Sequence, residues 1–231
     1  MQTIGLVGGM SWESSAGYYA ALNRGVEQRV GGLASARTVM VSVDFAEVTA
    51  LQQAERWDDV ATLLVDAARR VEAAGADLLV LCTTTFHRVA DQVREAVSIP
   101  LLDLADVVAD ACRARGVTQV GFVGTRFAMT RRFFVDRLTS AGLTVLVPDE
   151  RHHEAIDRVI YDELVHGRVL DDSRRLVVEV ADELWDAGAG GLVLGCTELE
   201  LLVHQHDVEL PLFPATALHV EAALAAAGVP A

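Results

Sequence analysis

Leu78-Leu79-Val80-Leu81-Cys82-Thr83 and Leu192-Val193-Leu194-Gly195-Cys196-Thr197 are the two stretches that decide the fold. Each is an unbroken apolar run closed by Cys-Thr. A strand of a parallel sheet, covered on both faces, has this pattern. Working outward, Ile4-Gly5-Leu6-Val7-Gly8 resembles Val120-Gly121-Phe122-Val123-Gly124, and Ile99-Pro100-Leu101-Leu102 resembles Leu210-Pro211-Leu212-Phe213. Val7 and Val123, Cys82 and Cys196, Pro100 and Pro211 lie 116, 114 and 111 residues apart. Apolar strands resemble one another cheaply, so one match means little. Three matches in one order at nearly constant offset imply a duplication.

Strand-like runs occupy Thr3–Gly8, Thr38–Val43, Asp77–Cys82, Ile99–Leu102, Gln119–Gly124, Leu143–Val147, Gly191–Cys196 and Leu210–Phe213. Helical patterns separate them. In Trp57–Ala74, Val60, Leu63, Leu64, Ala67 and Val71 form one stripe and the charges fall off it, until Gly75 stops the helix. Glu179–Ala187 ends at Gly188 in the same way. Regular alternation of strand and helix predicts an α/β fold, and the duplication predicts two pseudo-symmetric lobes, each a four-stranded parallel sheet flanked by helices, whose Cys-Thr ends would face each other across a cleft. No Pro/Gly/Ser-rich linker separates them.

Composition narrows the function. The chain has 231 residues, 52% hydrophobic and 23% charged, with a net charge of −14. That is globular composition with ample apolar material to bury. All 19 basic residues are arginine. Lacking lysine, the chain has no Schiff-base residue for pyridoxal phosphate and no phosphate-contacting lysine of a P-loop. The acidic balance opposes nucleic-acid binding. No apolar run is long enough to span a membrane, and the N-terminus lacks a signal-peptide pattern. Three cysteines, Cys82, Cys112 and Cys196, do not make a disulfide framework, and reduced thiols in a cytosol are the simpler reading. No zinc spacing occurs, and Gly5-x-x-Gly8-Gly9 is not the dinucleotide fingerprint. No metal and no cofactor are expected.

In open parallel sheets, ligands bind beyond the carboxyl ends of the strands, where both Cys-Thr pairs stand. The hydroxyls of Thr83, Thr84, Thr85 and Thr197 follow the thiols and are read as leading into helices, whose free N–H groups attract anions and whose field lowers a thiol's pKa. Thr125 ends the strand equivalent to Thr3–Gly8. A carboxylate held between two thiols is the ligand these residues suit. The alternative is that each cysteine is a small buried apolar residue. Cys112, on Ala105–Arg115, has that reading alone.

The segments Gly8-Gly9-Met10-Ser11-Trp12-Glu13-Ser14, Ser42-Val43-Asp44-Phe45, Leu81-Cys82-Thr83-Thr84-Thr85-Phe86-His87, Gly124-Thr125-Arg126-Phe127 and Leu194-Gly195-Cys196-Thr197-Glu198 resemble the aspartate/glutamate racemase family, in order along essentially the whole chain. The resemblance implies a cofactor-independent amino-acid racemase acting on a small-molecule substrate, an amino acid or dicarboxylate. In it Cys82 and Cys196 are the catalytic pair, moving the Cα proton on opposite faces. It places Met10, Gln52, Thr83, Thr84, Thr85, Thr125, Thr197 and Glu198 around the substrate, and a homodimer in the cytoplasm. It also implies an active site in the cleft between the two pseudo-symmetric lobes and a chain that returns to the first lobe from about Leu210, so the expected division is residues 1–100 plus 208–231 for the first lobe and 101–207 for the second. Two departures stand out. Thr84 occupies the position where the family usually has asparagine. No cation follows the second strand, where Phe45, Ala46 and Glu47 stand, and Gln52 is the nearest polar candidate. Glu198 either tunes Cys196 or caps a helix.

Other residues invite weaker readings. His87 either assists Cys82 or packs, and Ser11 reads as a helix N-cap. His152-His153 and His204-x-His206 sit in polar stretches without further ligands. Arg126 is the one cation near a strand end that could meet a second carboxylate, or else it packs at the surface. Relatives in the same superfamily isomerise small diacids of maleate type or decarboxylate, and a non-catalytic carboxylate-binding protein would keep the same cleft.

Overall fold

The computed structural model describes residues 1–231. In chain order the elements are β1 (Ile4–Gly8), α1 (Trp12–Val30), β2 (Thr38–Ser42), α2 (Phe45–Gln53), α3 (Trp57–Ala73), β3 (Leu78–Leu81), α4 (Ala90–Ala96), β4 (Leu101–Leu102), α5 (Leu104–Ala114), β5 (Gln119–Val123), α6 (Arg126–Thr130), α7 (Phe133–Ser140), β6 (Thr144–Leu146), α8 (Glu150–Arg158), α9 (Asp171–Asp186), β7 (Leu192–Leu194), α10 (Leu199–Leu202), β8 (Leu212–Pro214) and α11 (Ala215–Ala226). The strands form two all-parallel sheets, ordered β2-β1-β3-β4 and β6-β5-β7-β8. The second order is the first advanced by four, so the two halves are wired alike.

The chain divides into two compact units, residues 1–103 with 219–231, and residues 104–218. In the first, the strands alternate between two apolar layers. Val7, Leu79 and Leu81 pack with Val60, Leu64, Ala68 and Val71 of α3. Ile4, Leu6, Leu78, Val80 and Cys82 pack with Tyr18 and Leu22 of α1 and Val220 and Leu224 of α11. This two-sided burial is the reason the strands read as continuous hydrophobic runs. In the second unit, Val120, Phe122, Leu192, Val193 and Leu194 share one core with α5, α7 and α9.

The matched glycines have matched jobs. A Cβ on Gly5 would stand 2.3 Å from Val71 of α3, and one on Gly121 would stand 2.9 Å from Leu184 of α9. In each unit the helix preceding the cysteine strand lies close against the central strand because glycine leaves room.

All eight expected strands form; seven are trimmed by a residue or more, and the last starts two residues later and runs one residue further, to Pro214. The helix read as Glu179–Ala187 begins eight residues earlier, at Asp171. Its N-cap is Leu170, which makes no side-chain capping bond, so the usual start signal is missing. The crossover differs more. β8 pairs with β7, through Leu192↔Leu212 and Leu194↔Pro214, and so completes the second sheet. The chain joins the first unit only from His219, within α11, and the first division falls after Asp103. Residues 208–218 therefore belong with the second unit, because backbone pairing holds them there.

Candidate active site

Parallel strands put their carboxyl ends on one edge. In the first unit that edge carries the turns after β1, β2 and β3. After β1 the chain passes through Gly9 at φ 88° and Ser11 at φ 90°. Positive φ at a serine is strained backbone, a condition that gathers at functional sites. Three bonds hold it. Ser15 Oγ accepts from the Gly9 N–H at 2.8 Å and donates to the Ser11 carbonyl at 3.0 Å, and Ser11 Oγ accepts from the Ser14 N–H at 3.3 Å as the N-cap of α1. Met10, between them, is buried in the layer that packs on α3. After β2, Asp44 caps α2, and Gln52 is half-buried in that helix's last turn.

β3 runs into Cys82, whose N–H donates to the Val7 carbonyl at 2.9 Å and extends the ladder. Thr83 then turns back, its N–H donating to the Leu81 carbonyl at 2.8 Å. Thr84 and Thr85 are half-buried and open a 3₁₀ turn, Thr85–Val89. Cys82 is wholly buried, and burial alone pushes its thiol far above the ordinary range.

In the second unit, β5 and β7 are neighbours, so Thr125 and Cys196 leave the sheet at the same edge. Thr125 caps α6 by accepting the Ala128 N–H at 3.2 Å. Gly195 separates β7 from Cys196, and a Cβ there would stand 2.2 Å from the Phe122 ring. Thr197 is half-buried. The sharpest contact is Cys196 Sγ donating to Glu198 Oε2 at 2.9 Å, with both residues buried. Glu198 occupies the N-cap position of α10 but makes no side-chain capping bond. Burial first, then the negative charge of Glu198, push the Cys196 thiol well above its usual value.

This reverses one expectation. Helix fields were to lower both thiols, yet the helical pieces that follow are a 3₁₀ turn of five residues and α10 of four. Such short segments carry little dipole, and desolvation dominates.

Other expectations find their places. Arg126 donates its backbone N–H to Asp157 Oδ1 at 2.7 Å, and its Nε lies 3.6 Å from Asp157 Oδ2, so its charge already faces a carboxylate. His152 bonds Glu183 at 2.9 Å and His153 bonds the Pro148 carbonyl at 2.9 Å, which accounts for that pair. The His204 and His206 rings sit 5.6 Å apart beside Asp207. Cys112 is buried in α5, its thiol pushed up to about 11 by burial. No helix is long and apolar enough to cross a membrane.

Tyr161 escapes sequence reading. It lies on a π-helical turn, Val159–Glu163, that interrupts the passage from α8. Its phenol is pushed above its usual range by desolvation first and then by the charges of Cys196, Asp157 and Glu198, although the residue as a whole is exposed. Such turns recur at functional sites, and no residue pattern announces them.

The model of the Asp/Glu/Hydantoin racemase family matches residues 7–223. A Yersinia pestis protein assigned as an Asp/Glu racemase is 41% identical, covers 98% of this chain and 99% of its own, and superposes with a TM-score of 0.92. An aspartate racemase homologue from Pyrococcus horikoshii OT3 is 30% identical over 99% of this chain and 100% of its own, with a TM-score of 0.89. A liganded arylmalonate decarboxylase variant shares the fold at 15% identity, covering 100% of this chain and 94% of its own, with a TM-score of 0.62. With the family model spanning nearly the whole chain, and two sheets ending in matched Cys-Thr turns, this chain belongs to the Asp/Glu/Hydantoin racemase family.

Proposed function

We propose that this protein is a cofactor-independent amino-acid racemase of aspartate/glutamate type, in which Cys82 and Cys196 work on opposite faces of the same Cα. The observation that carries the reading is the buried Cys196–Glu198 bond at the end of one cysteine strand, matched by a second buried cysteine at the end of its counterpart.

The chemistry follows from the residue types. Cys196 gives its thiol proton to Glu198, and the thiolate takes the Cα proton. The electron pair left on Cα moves into the substrate carboxylate. Cys82 then delivers its own S–H proton to the opposite face and is left as thiolate. The reverse direction exchanges the roles. A Cα–H is a far weaker acid than a free thiol of pKa ~8.5. Burial narrows that gap, because a thiol whose pKa is raised yields a more basic thiolate. Glu198 supplies what burial withholds, a place for the proton. Hydroxyls of Thr83, Thr84, Thr85, Thr125 and Thr197 would donate to the substrate carboxylate as negative charge builds on it. Met10 and Gln52 complete the proposed pocket. A homodimer in the cytosol belongs to the same reading, and sedimentation equilibrium checks the first part.

The test is incubation with single-enantiomer aspartate or glutamate in deuterated water, followed by proton NMR and chiral chromatography. The expected result is loss of the Cα–H signal with formation of the opposite enantiomer. Cys82→Ala and Cys196→Ala should each abolish racemisation and leave the far-UV circular dichroism unchanged. Near wild-type racemisation in either variant would refute the two-thiol mechanism.

A further inference from the structure

We infer that His87 is a positioning residue that holds the Cys82 turn in its working geometry; the inference rests on the two-thiol reading above. His87 Nδ1 lies 2.7 Å from the carbonyl oxygen of Thr83, the residue after the thiol. A carbonyl only accepts, so Nδ1 carries the proton. The backbone N–H of His87 also donates to the Thr84 carbonyl at 3.2 Å. With Thr83 N–H already bound to the Leu81 carbonyl, both backbone polar groups of Thr83 are fixed, one to the strand and one to this imidazole.

The imidazole is itself braced. His87 is wholly buried, and the ring of His219 stands 5.7 Å away at 61°. His219 is bound at both nitrogens. Its Nε2 lies 3.0 Å from the Leu102 carbonyl, so it donates there, and its Nδ1 lies 3.0 Å from the Tyr18 hydroxyl, so it accepts. That assignment makes His219 a neutral ring, in line with burial pulling its pKa down to about 3. Tyr18 comes from α1, His219 from α11 and Leu102 ends β4, so three segments of the first unit lock the ring behind His87. Cys82 packs in the same layer as Tyr18. Apolar side chains would fill this volume without the cost of burying two imidazoles and a phenol. What they would not supply is a directed N–H at the Thr83 carbonyl.

The second unit has no imidazole at the equivalent place. Glu198 serves Cys196 by direct contact, and His87 serves Cys82 through the backbone. A displacement of about 1 Å at a reacting group costs about 100-fold in rate.

The experiment measures Cα–H washout of each enantiomer in deuterated water for wild type, His87→Leu and His87→Asn. The Cys196→Ala variant first identifies which enantiomer Cys82 serves. Asparagine carries an amide nitrogen where imidazole carries Nδ1, so it keeps the bond to Thr83, whereas leucine removes it. For His87→Leu the expected result is an approximately 100-fold loss of racemisation and of exchange on the Cys82 side. Exchange on the Cys196 side should persist near its wild-type rate, and His87→Asn should restore most of the loss. If His87→Leu does not fold, His87→Gln takes its place, since its amide nitrogen stands at the Nε2 position and leaves the Thr83 carbonyl without its donor. Equal loss on both sides, no loss on either, or failure of asparagine to rescue would overturn the role of His87. Absence of exchange in the wild-type protein would instead overturn the racemase reading, and this inference with it.

Discussion

Replacing Glu198 by glutamine tests the thiol–carboxylate pair most directly. In the wild-type protein the pair shares one proton and one negative charge, whichever atom holds the proton. Forming the Cys196 thiolate therefore requires no net loss of a proton to water, and kcat/KM should be nearly flat from neutral pH upward. Glutamine keeps the shape but cannot take the proton. The thiolate then forms only by release to solvent, against the desolvation that is the leading cause of the raised pKa. A second effect opposes the first, because removing the carboxylate charge eases ionisation of the thiol. Desolvation is the larger cause and survives the substitution, so the thiol stays high and activity falls. A hydrogen bond to a charged group is worth ~1.5–3 kcal/mol, which converts to roughly 10- to 150-fold in rate at 1.36 kcal/mol per tenfold. The sign of the pH effect is fixed as well. The glutamine variant should gain about tenfold per pH unit between roughly pH 7 and 9, while the wild type does not. Circular dichroism at a fixed aspartate or glutamate concentration follows the reaction. A variant within twofold of wild type, with a parallel pH profile, would show that Glu198 does not take the proton. A faster variant would show that its charge only hinders the thiol.

Gly195→Ala should destabilise the fold by ~1–3 kcal/mol, because the added methyl group meets the Phe122 ring at 2.2 Å. The shift should appear in the urea midpoint, and racemisation should fall with it because Cys196 is displaced. Glu200 accepts the N–H groups of Thr216 and Ala217 at the start of α11, and burial raises its pKa from 4.5 to about 7. A carboxyl group that holds its proton more tightly when folded stabilises below the unfolded pKa, and that contribution is lost as pH rises through the folded one. Between about pH 4.5 and 7 the wild type should therefore lose up to about 3 kcal/mol relative to Glu200→Gln, read as the difference between their urea midpoints at pH 5 and 7.5. Arg126→Ala should change kcat/KM for aspartate less than about threefold, since Asp157 already faces the guanidinium and the side chain is 60% exposed. A loss above about 100-fold would make Arg126 the reader of a distal carboxylate.

The central strands β1, β3 and β7 were legible because they are buried at every position and so must be apolar or glycine throughout, whereas the edge strands β2 and β6 are partly exposed and keep polar residues. Val7 and Leu6 pack into different layers, yet both are wholly buried. The glycine in each central strand was visible in the sequence, but its purpose, room for α3 or α9, required the packing. The crossover was misplaced because a strand's apolar run says nothing about which neighbour it pairs with. Leu212–Pro214 would fit beside either sheet by composition, and the hydrogen bonds to Leu192–Leu194 decide it. The early start of α9 lacked a capping side chain, and the π-helical turn that carries Tyr161 has no residue signature.

The candidate residues could be named from the sequence, but their electrostatics could not. The repeated Cys-Thr singles out both thiols and the threonines that follow them in sequence, yet the direction of the thiol pKa shift could not be read, because the sequence does not reveal how short the following helical turns are. Duplication also concealed a difference. Thr84 and Glu198 hold equivalent positions, two residues after their cysteines, but only Glu198 reaches a thiol with a carboxylate. For Cys196, burial acts together with a proton acceptor at 2.9 Å; for Cys82, burial acts alone. A base must first lose its proton and an acid must first keep it. In the proposed two-thiol mechanism the two thiols therefore start in different roles, although their strands share one pattern. On that proposal Cys196, with Glu198 at 2.9 Å to receive its proton, takes the first Cα proton and Cys82 gives one back. The same proposal makes the second half-cycle, in which Cys82 returns as thiolate, the step in which the geometry of its turn matters most.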